Sequence, residues 1–213
     1  TTVSVGELVI RNATSLGTAA GGTVVNSTAN GTLAASGTLI IDGNFTVLGE
    51  TLRLDTANAT DGNQSLRNGT GFQGQGALRV LSGRTAVWEG DVTLFTNSTA
   101  NNFPRVTINV ESGADLTING TISQTGVSAN LIGVGLNKVG AGALEFAGTT
   151  ANTYGLPNGT GTSATTSVQN GTLRLKKTAG TAAVQGRLEA GDNNGAGGTA
   201  IVRWLASDQF GDQ

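Results

Sequence analysis

Residues 142–146 of this chain read Gly142-Ala143-Leu144-Glu145-Phe146, a glycine followed by a strand in which Leu144 and Phe146 occupy alternate positions. Successive side chains of a β-strand point to opposite faces, so this alternation is typical of a strand that buries one face. The glycine allows the positive φ of a sharp corner, and the leucine then enters the interior. The same Gly-x-Leu opening recurs at Gly6, Gly31, Gly37, Gly76, Gly171 and Gly186. The chain therefore repeats a short unit made of a corner and a strand.

Apolar residues alternate in this way through most of the chain, and helical spacing is scarce. Glycine costs a helix about 1 kcal/mol per residue, and 34 of the 213 residues are glycine. Because the strands are short and the motif restarts at intervals of roughly 15 to 30 residues, a stack of parallel coils fits better than hairpins. We predict an all-β fold, a right-handed parallel β-helix (β-solenoid) of roughly ten coils with short turns and loops, about 50 Å long.

A longer repeat is visible at a constant offset. Val3, Gly6, Leu8 and Ile10 match Val168, Gly171, Leu173 and Leu175 in the same order and at the same spacing. We therefore predict a single β-helix over 1–213, in which about 1–165 is one long repeat unit and about 166–213 begins the next. Since an open solenoid end exposes unpaired backbone groups, we expect self-association or continuation into further repeats, end to end.

Composition and charge exclude several classes of function. A formal net charge of −2 and the lack of a basic cluster argue against a nucleic-acid partner. Without cysteine or histidine, the chain offers no thiolate or imidazole to catalysis or to a metal. No apolar run is long enough to cross a bilayer as a helix, so we predict no membrane insertion by this segment. Low charge, many hydroxyl side chains and no oxidisable sulfur favour an extracellular or cell-surface, secreted protein.

One stretch of the chain resembles a known family. Residues 138–148, Lys138-Val139-Gly140-Ala141-Gly142-Ala143-Leu144-Glu145-Phe146-Ala147-Gly148, resemble the K-x-G-x-G-x-L-x-L-x-G core of the autotransporter-associated β-strand repeat. In that family an Asn-Thr-Tyr segment and a second Gly-Thr-Leu strand follow, and residues 152–155 and 170–175 occupy those places here. The segment 156–166 between them is longer and more polar than is typical. The resemblance implies a right-handed β-helix within a large exported surface protein.

Acidic and metal-binding patterns are weak. Sugar hydrolases and lyases need converging carboxylates, and Glu89 and Asp91, two positions apart, form the nearest such pair, for which a solvated strand end is the simpler interpretation. Residues 191–198 superficially resemble a calcium loop, but they lack the G-G-x-G-x-D order and do not repeat. We predict that the chain is not an enzyme and has no catalytic residues, cofactor or metal site.

Two further patterns suggest contacts outside the rod. Trp88 and Tyr154 are candidate sugar-contact aromatics, although core filling is the commoner role for so few rings. Eleven of the 19 asparagines begin an Asn-x-Ser/Thr triplet, whereas chance pairing with the 45 serines and threonines would give about four. They are candidate N-glycosylation sites, although Asn-Gly-Thr is also good corner chemistry. These asparagines are Asn12, Asn26, Asn30, Asn44, Asn58, Asn63, Asn68, Asn97, Asn119, Asn158 and Asn170.

Together these features predict a non-catalytic structural or adhesive β-helical repeat of an exported cell-surface or extracellular fibre-forming protein. Possible partners are further repeats and surface glycans. A carbohydrate-binding β-helix module is the alternative, and a polysaccharide lyase or hydrolase is a third.

Overall fold

The computed structural model describes residues 1–27, 36–56, 68–97, 104–127, 133–156, 163–191 and 198–211. Within these ranges the regular structure consists of strands and one 3-10 turn at Phe72–Gly74. The strands form three sheets, and every pairing between them is parallel. The all-β class and the parallel β-solenoid predicted from the alternation are confirmed.

The three sheets are named here by their strands. Sheet 1 contains β1 (Thr2–Val3), β3 (Thr23–Val25), β6 (Leu52–Asp55), β10 (Val92–Phe95) and β13 (Ile122–Thr125). Sheet 2 contains β2 (Gly6–Ile10), β4 (Gly37–Ile41), β7 (Asn68–Gly69), β8 (Leu78–Val80), β11 (Arg105–Val110), β14 (Gly135–Val139), β16 (Thr165–Val168) and β18 (Arg187–Ala190). Sheet 3 contains β5 (Phe45–Val47), β9 (Thr85–Trp88), β12 (Asp115–Ile118), β15 (Ala143–Phe146), β17 (Gly171–Leu175) and β19 (Ala200–Trp204). Each central coil runs through sheet 2, sheet 3 and sheet 1 in that order.

The coils are longer and fewer than the sequence predicted. Val92 pairs with Ile122 in sheet 1, and Arg105 pairs with Gly135 in sheet 2. In both sheets the paired residues are therefore 30 positions apart in the sequence. Hydrogen bonds between these coils, such as that from Asn119 to Glu89, span the same distance of 30 residues. The described strands make about five turns, so the predicted ten coils are more than the structure shows. The reason is that each of these coils contains three strands and three corners, which together take 30 residues, the upper end of the interval predicted from the Gly-x-Leu motif. The main path of sheet 2 stacks seven strands, and six spacings of about 4.8 Å make that sheet roughly 30 Å long.

The core is a set of ladders in which equivalent positions of successive coils stack on one another. In sheet 3, one inward ladder contains Val47, Trp88, Ile118, Phe146 and Leu175, all of them buried. In sheet 2, another contains Leu39, Leu78, Ile108, Lys138 and Val168. Each coil buries its inner face against the coils on either side, which is how a solenoid builds a continuous core.

The glycines of the Gly-x-Leu motif have two different structural roles. Gly171 has φ +72°, the corner conformation that the sequence predicted. Gly142 has no positive φ, and a β-carbon there would collide with the carbonyl oxygen of Glu111 in the preceding coil. At Gly142 the motif therefore preserves close backbone packing between coils.

Sheet pairing is continuous across residue 165, where the second repeat unit was predicted to begin. β16, which starts at Thr165, pairs with β14 on one side and with β18 on the other. The long-range sequence match relates β1 and β2, in sheets 1 and 2, to β16 and β17, in sheets 2 and 3. The repeat boundary and the right-handed crossover stay predictions. Among the described residues, no helix has the length and apolar character to span a membrane.

Candidate functional sites

The two aromatic residues predicted to contact sugars lie in the core. Trp88 is fully buried and donates a hydrogen bond from Nε1 to the carbonyl oxygen of Glu50 at 2.9 Å. Tyr154 packs edge-on against Phe146, and its hydroxyl lies 2.8 Å from Oγ1 of Thr166. Burial also raises the pKa of the Tyr154 hydroxyl. Neither ring presents a face at the surface, so their placement gives no support to a sugar contact at these residues.

The acidic pair that the sequence singled out holds a corner of the rod. Glu89 accepts a hydrogen bond from Nδ2 of Asn119 at 2.8 Å, and Asp91 accepts one from the backbone N–H of Thr121 at 2.8 Å. Both partners lie 30 residues further on, one coil along the rod. Each carboxylate therefore links its own coil to the next, a structural role that explains their spacing.

The sequon asparagines occupy different environments. Asn12, Asn44 and Asn97 are exposed, while Asn26, Asn119 and Asn170 are half-buried. Asn68 opens β7, and Asn30, Asn58, Asn63 and Asn158 lie outside the described residues. Among the described sequon asparagines, Asn26 and Asn97 lie between a strand of sheet 1 and the next strand of sheet 2.

The candidate calcium loop is only partly described, because residues 192–197 lie outside the described ranges. In the described part of the chain, no three acidic side chains are grouped so that they could hold a metal ion.

Two buried lysines are the residues that sequence reasoning missed. Lys138 lies in the inward ladder of sheet 2, between Ile108 and Val168, and is fully buried. Its ammonium donates to three backbone carbonyls, those of Val139 at 2.9 Å, Gly140 at 2.6 Å and Asn170 at 2.9 Å. These acceptors stabilise the charge, while burial lowers the pKa of Lys138 to about 8. The coil length would have revealed Lys138, since a spacing of 30 residues between successive coils places residues 108, 138 and 168 in one ladder.

Lys177 plays a similar role at the corner that follows β17. Its ammonium donates to the carbonyl oxygen of Ala147 at 2.8 Å, and burial lowers its pKa to about 8 despite the attraction of Asp91. The backbone N–H of Lys177 donates to Oε1 of Gln209 at 2.7 Å, and Nε2 of Gln209 donates back to the carbonyl of Lys177 at 3.1 Å. Buried polar side chains thus satisfy the backbone groups where the chain changes sheet.

A groove crosses the outer face of sheet 1. Its volume is about 330 Å³. It begins at Gly21 and Gly22, which have no side chains, and continues over β6 and β10 to β13. The sheet 1 groove is lined by Gly21, Gly22, Thr23, Val24, Thr51, Leu52, Arg53, Thr93 and Thr125.

Arg53 is held rigidly beside this groove. Its Nε and Nη2 donate to the two carboxylate oxygens of Asp55 at 2.7 and 2.9 Å, and its guanidinium carbon lies 3.7 Å from the centre of the Phe95 ring. Burial raises the pKa of Asp55, although Arg53 opposes that effect. A bidentate carboxylate and a cation–π contact together fix the plane of the guanidinium.

Comparison with known proteins adds no assignment, since no family model, curated protein or solved structure matches this chain.

Proposed function

We propose that this chain is a non-catalytic structural or adhesive rod segment of an exported protein, displayed at a cell surface or in an extracellular fibre. The observation that carries the proposal is the shared register of the central coils, which stacks apolar ladders of all three sheets around one axis. Such a stack is rigid because every coil between the two ends is held by backbone hydrogen bonds on both of its sides. A stack of this kind acts as a spacer of defined length.

The resemblance of residues 138–175 to the autotransporter-associated repeat supports the exported location. The structure adds a physical role for the lysine of that motif, since Lys138 closes the corner between β14 and β15. Trp88 and Tyr154 also belong to the core of this rod. The carbohydrate-binding alternative therefore loses both of the residues on which the sequence based it.

Further coils stacked end to end, from this chain or from another copy, are part of the proposal. Among the described residues, the exposed large hydrophobic side chains all lie near the two ends of the rod. Val5, Val9 and Leu48 belong to the first two coils, and Trp204, Leu205 and Phe210 to the last. A depression of about 350 Å³ between Leu188 and Phe210 adds apolar surface at the second end.

Electron microscopy of the chain at rising concentration, combined with sedimentation, tests the stacking. We expect rods whose lengths are whole multiples of one chain. Replacing Trp204 with serine should shorten them, whereas Val87→Ser, on the outer side of a central coil, should leave the length distribution unchanged. Single rods at every concentration, or equal effects of the two substitutions, would contradict stacking by this chain.

An antibody raised against the chain tests its location. Labelling of intact, unpermeabilised cells of the source organism is expected. Labelling that appears only after permeabilisation would overturn the exported location while leaving the structural role open to the first experiment.

A further inference from the structure

We propose that the sheet 1 groove binds a linear, uncharged oligosaccharide that lies along the rod. This site is independent of end-to-end stacking, because it lies on the side of the rod and uses neither end face. It also differs from the sugar contact predicted at Trp88 and Tyr154, which are buried.

The shape of the groove fits an extended chain. It is formed by residues from β3, β6, β10 and β13 and by those that directly precede the first two of these strands, so it crosses four successive coils. Three spacings of about 4.8 Å give a length of roughly 14 Å. The coil spacing is close to the length of one sugar unit, so a linear oligosaccharide presents hydroxyl groups at nearly the interval at which the coils present side chains.

The polar groups of the groove suit hydroxyl recognition. Thr51, Thr93 and Thr125 supply hydroxyls, which can donate one hydrogen bond and accept two, so that Thr93 keeps capacity for a ligand beside its contact with Oγ of Ser123 at 3.3 Å. Arg53 supplies an oriented guanidinium, whose Nη1 is the nitrogen that the pair with Asp55 leaves out. Because Asp55 and Phe95 already fix this side chain, a ligand has little conformational entropy to remove from it.

The local charge selects against anionic ligands. The charge of Arg53 is balanced by Asp55 at 2.7 Å. A phosphate or a uronic acid would therefore meet no net positive charge in the groove, whereas an uncharged sugar needs none.

An extended peptide is disfavoured for a different reason. Peptides that add to a sheet pair with the free backbone groups of an edge strand. β6 and β10 are interior strands with a parallel partner on each side, so their backbone groups are already used in the ladder. Side chains are what these two strands offer to a ligand, and the polar residues that line the whole groove are Arg53 and four threonines.

Binding can be tested with named probes. The ¹⁵N-labelled chain is titrated with cellohexaose, mannohexaose and maltohexaose, and with a galacturonic acid hexamer as the acidic probe. We expect at least one neutral hexasaccharide to shift the amide signals of residues 51–55, 92–95 and 122–125, with little effect from the acidic probe. No shift with any neutral probe, shifts that map elsewhere, or a preference for the acidic probe would each overturn the proposal.

Matched substitutions separate binding from stability. Arg53→Met keeps a side chain of similar length over the Phe95 ring. It should raise the dissociation constant at least fivefold, as measured by calorimetry. Arg174→Met is the control, because Arg174 is a similarly exposed arginine paired with Asp115 at 2.8 Å on the outer face of sheet 3. Thr93→Val should also weaken binding, while Thr117→Val on sheet 3 should not. The melting temperature of each variant reports folding, and equal affinities in the Arg53 and Arg174 variants would contradict the site.

Discussion

At the scale of single residues, the buried lysines give the rod an unusual chemistry. The whole sequence contains three lysines, Lys138, Lys176 and Lys177, and the structure buries the first and the last. A lysine in the core is tolerated here because backbone carbonyls at a corner accept the hydrogen bonds of its ammonium. Lys138 therefore joins two coils in the way that a buried structural water often does.

Stability should rise as the pH increases above 8. The pKa values of Lys138 and Lys177 are both about 8 in the folded chain, against an ordinary value of 10.5. Between these values the unfolded chain binds more protons than the folded one, so folding is favoured as the pH rises through this window. We expect the urea midpoint to be higher at pH 9.5 than at pH 7.5, and Lys138→Met to reduce that difference.

The control for this prediction is Lys176→Met, since Lys176 is largely exposed and pairs with Glu145 at 3.2 Å. Carbon NMR of the three lysine ε positions gives a direct reading, with the Lys138 signal expected to titrate near pH 8. If the urea midpoint is the same or lower at pH 9.5 than at pH 7.5, the prediction is wrong. The carbonyls at the corner would then stabilise the charged ammonium by more than burial destabilises it.

At the scale of the element, the period-two alternation was enough to predict the strands, because one buried face imposes it directly. The coil length was not predictable in the same way, since three strands and three corners of variable length share one turn. Lys138 shows the consequence, because its place between Ile108 and Val168 becomes visible only when the register of the coils is known. Trp88 illustrates a second limit, since the amino-acid composition does not show whether an aromatic ring points into the core or toward solvent.

The corner glycines allow coil-to-coil packing to be measured separately from backbone strain. Gly171 has φ +72°, and a β-carbon there would collide with the carbonyl of Gly142 in the preceding coil. Gly83 has φ +69° with open space around it. Gly83→Ala should therefore cost about 1 kcal/mol, whereas Gly171→Ala should cost about 2–4 kcal/mol because the coils must also move apart. Urea unfolding measures both, and equal losses would show that packing between coils tolerates a methyl group.

At the scale of the whole molecule, the common register predicts that one complete coil can be removed. Val92 pairs with Ile122, so deleting residues 93–122 joins Val92 to Ser123 and places the following strands one coil earlier, with their inward faces still inward. Since each coil contacts only its neighbours, stability should fall by the contribution of about one coil and unfolding should stay cooperative. Circular dichroism during urea unfolding checks this expectation.

Removing one residue fewer gives the matched control for that deletion. When residues 93–121 are deleted and Ile122 is kept, every side chain after the junction is displaced by one position. A shift of one residue in a strand exchanges its two faces. Leu144 and Phe146, which are fully buried, would then point outward unless a corner absorbed the extra residue. We expect the deletion of 93–122 to give a folded, shorter rod and the deletion of 93–121 to lose cooperative unfolding. If both variants fold equally well, the corners rather than the ladders set the register, and the rod is not the rigid spacer that we propose.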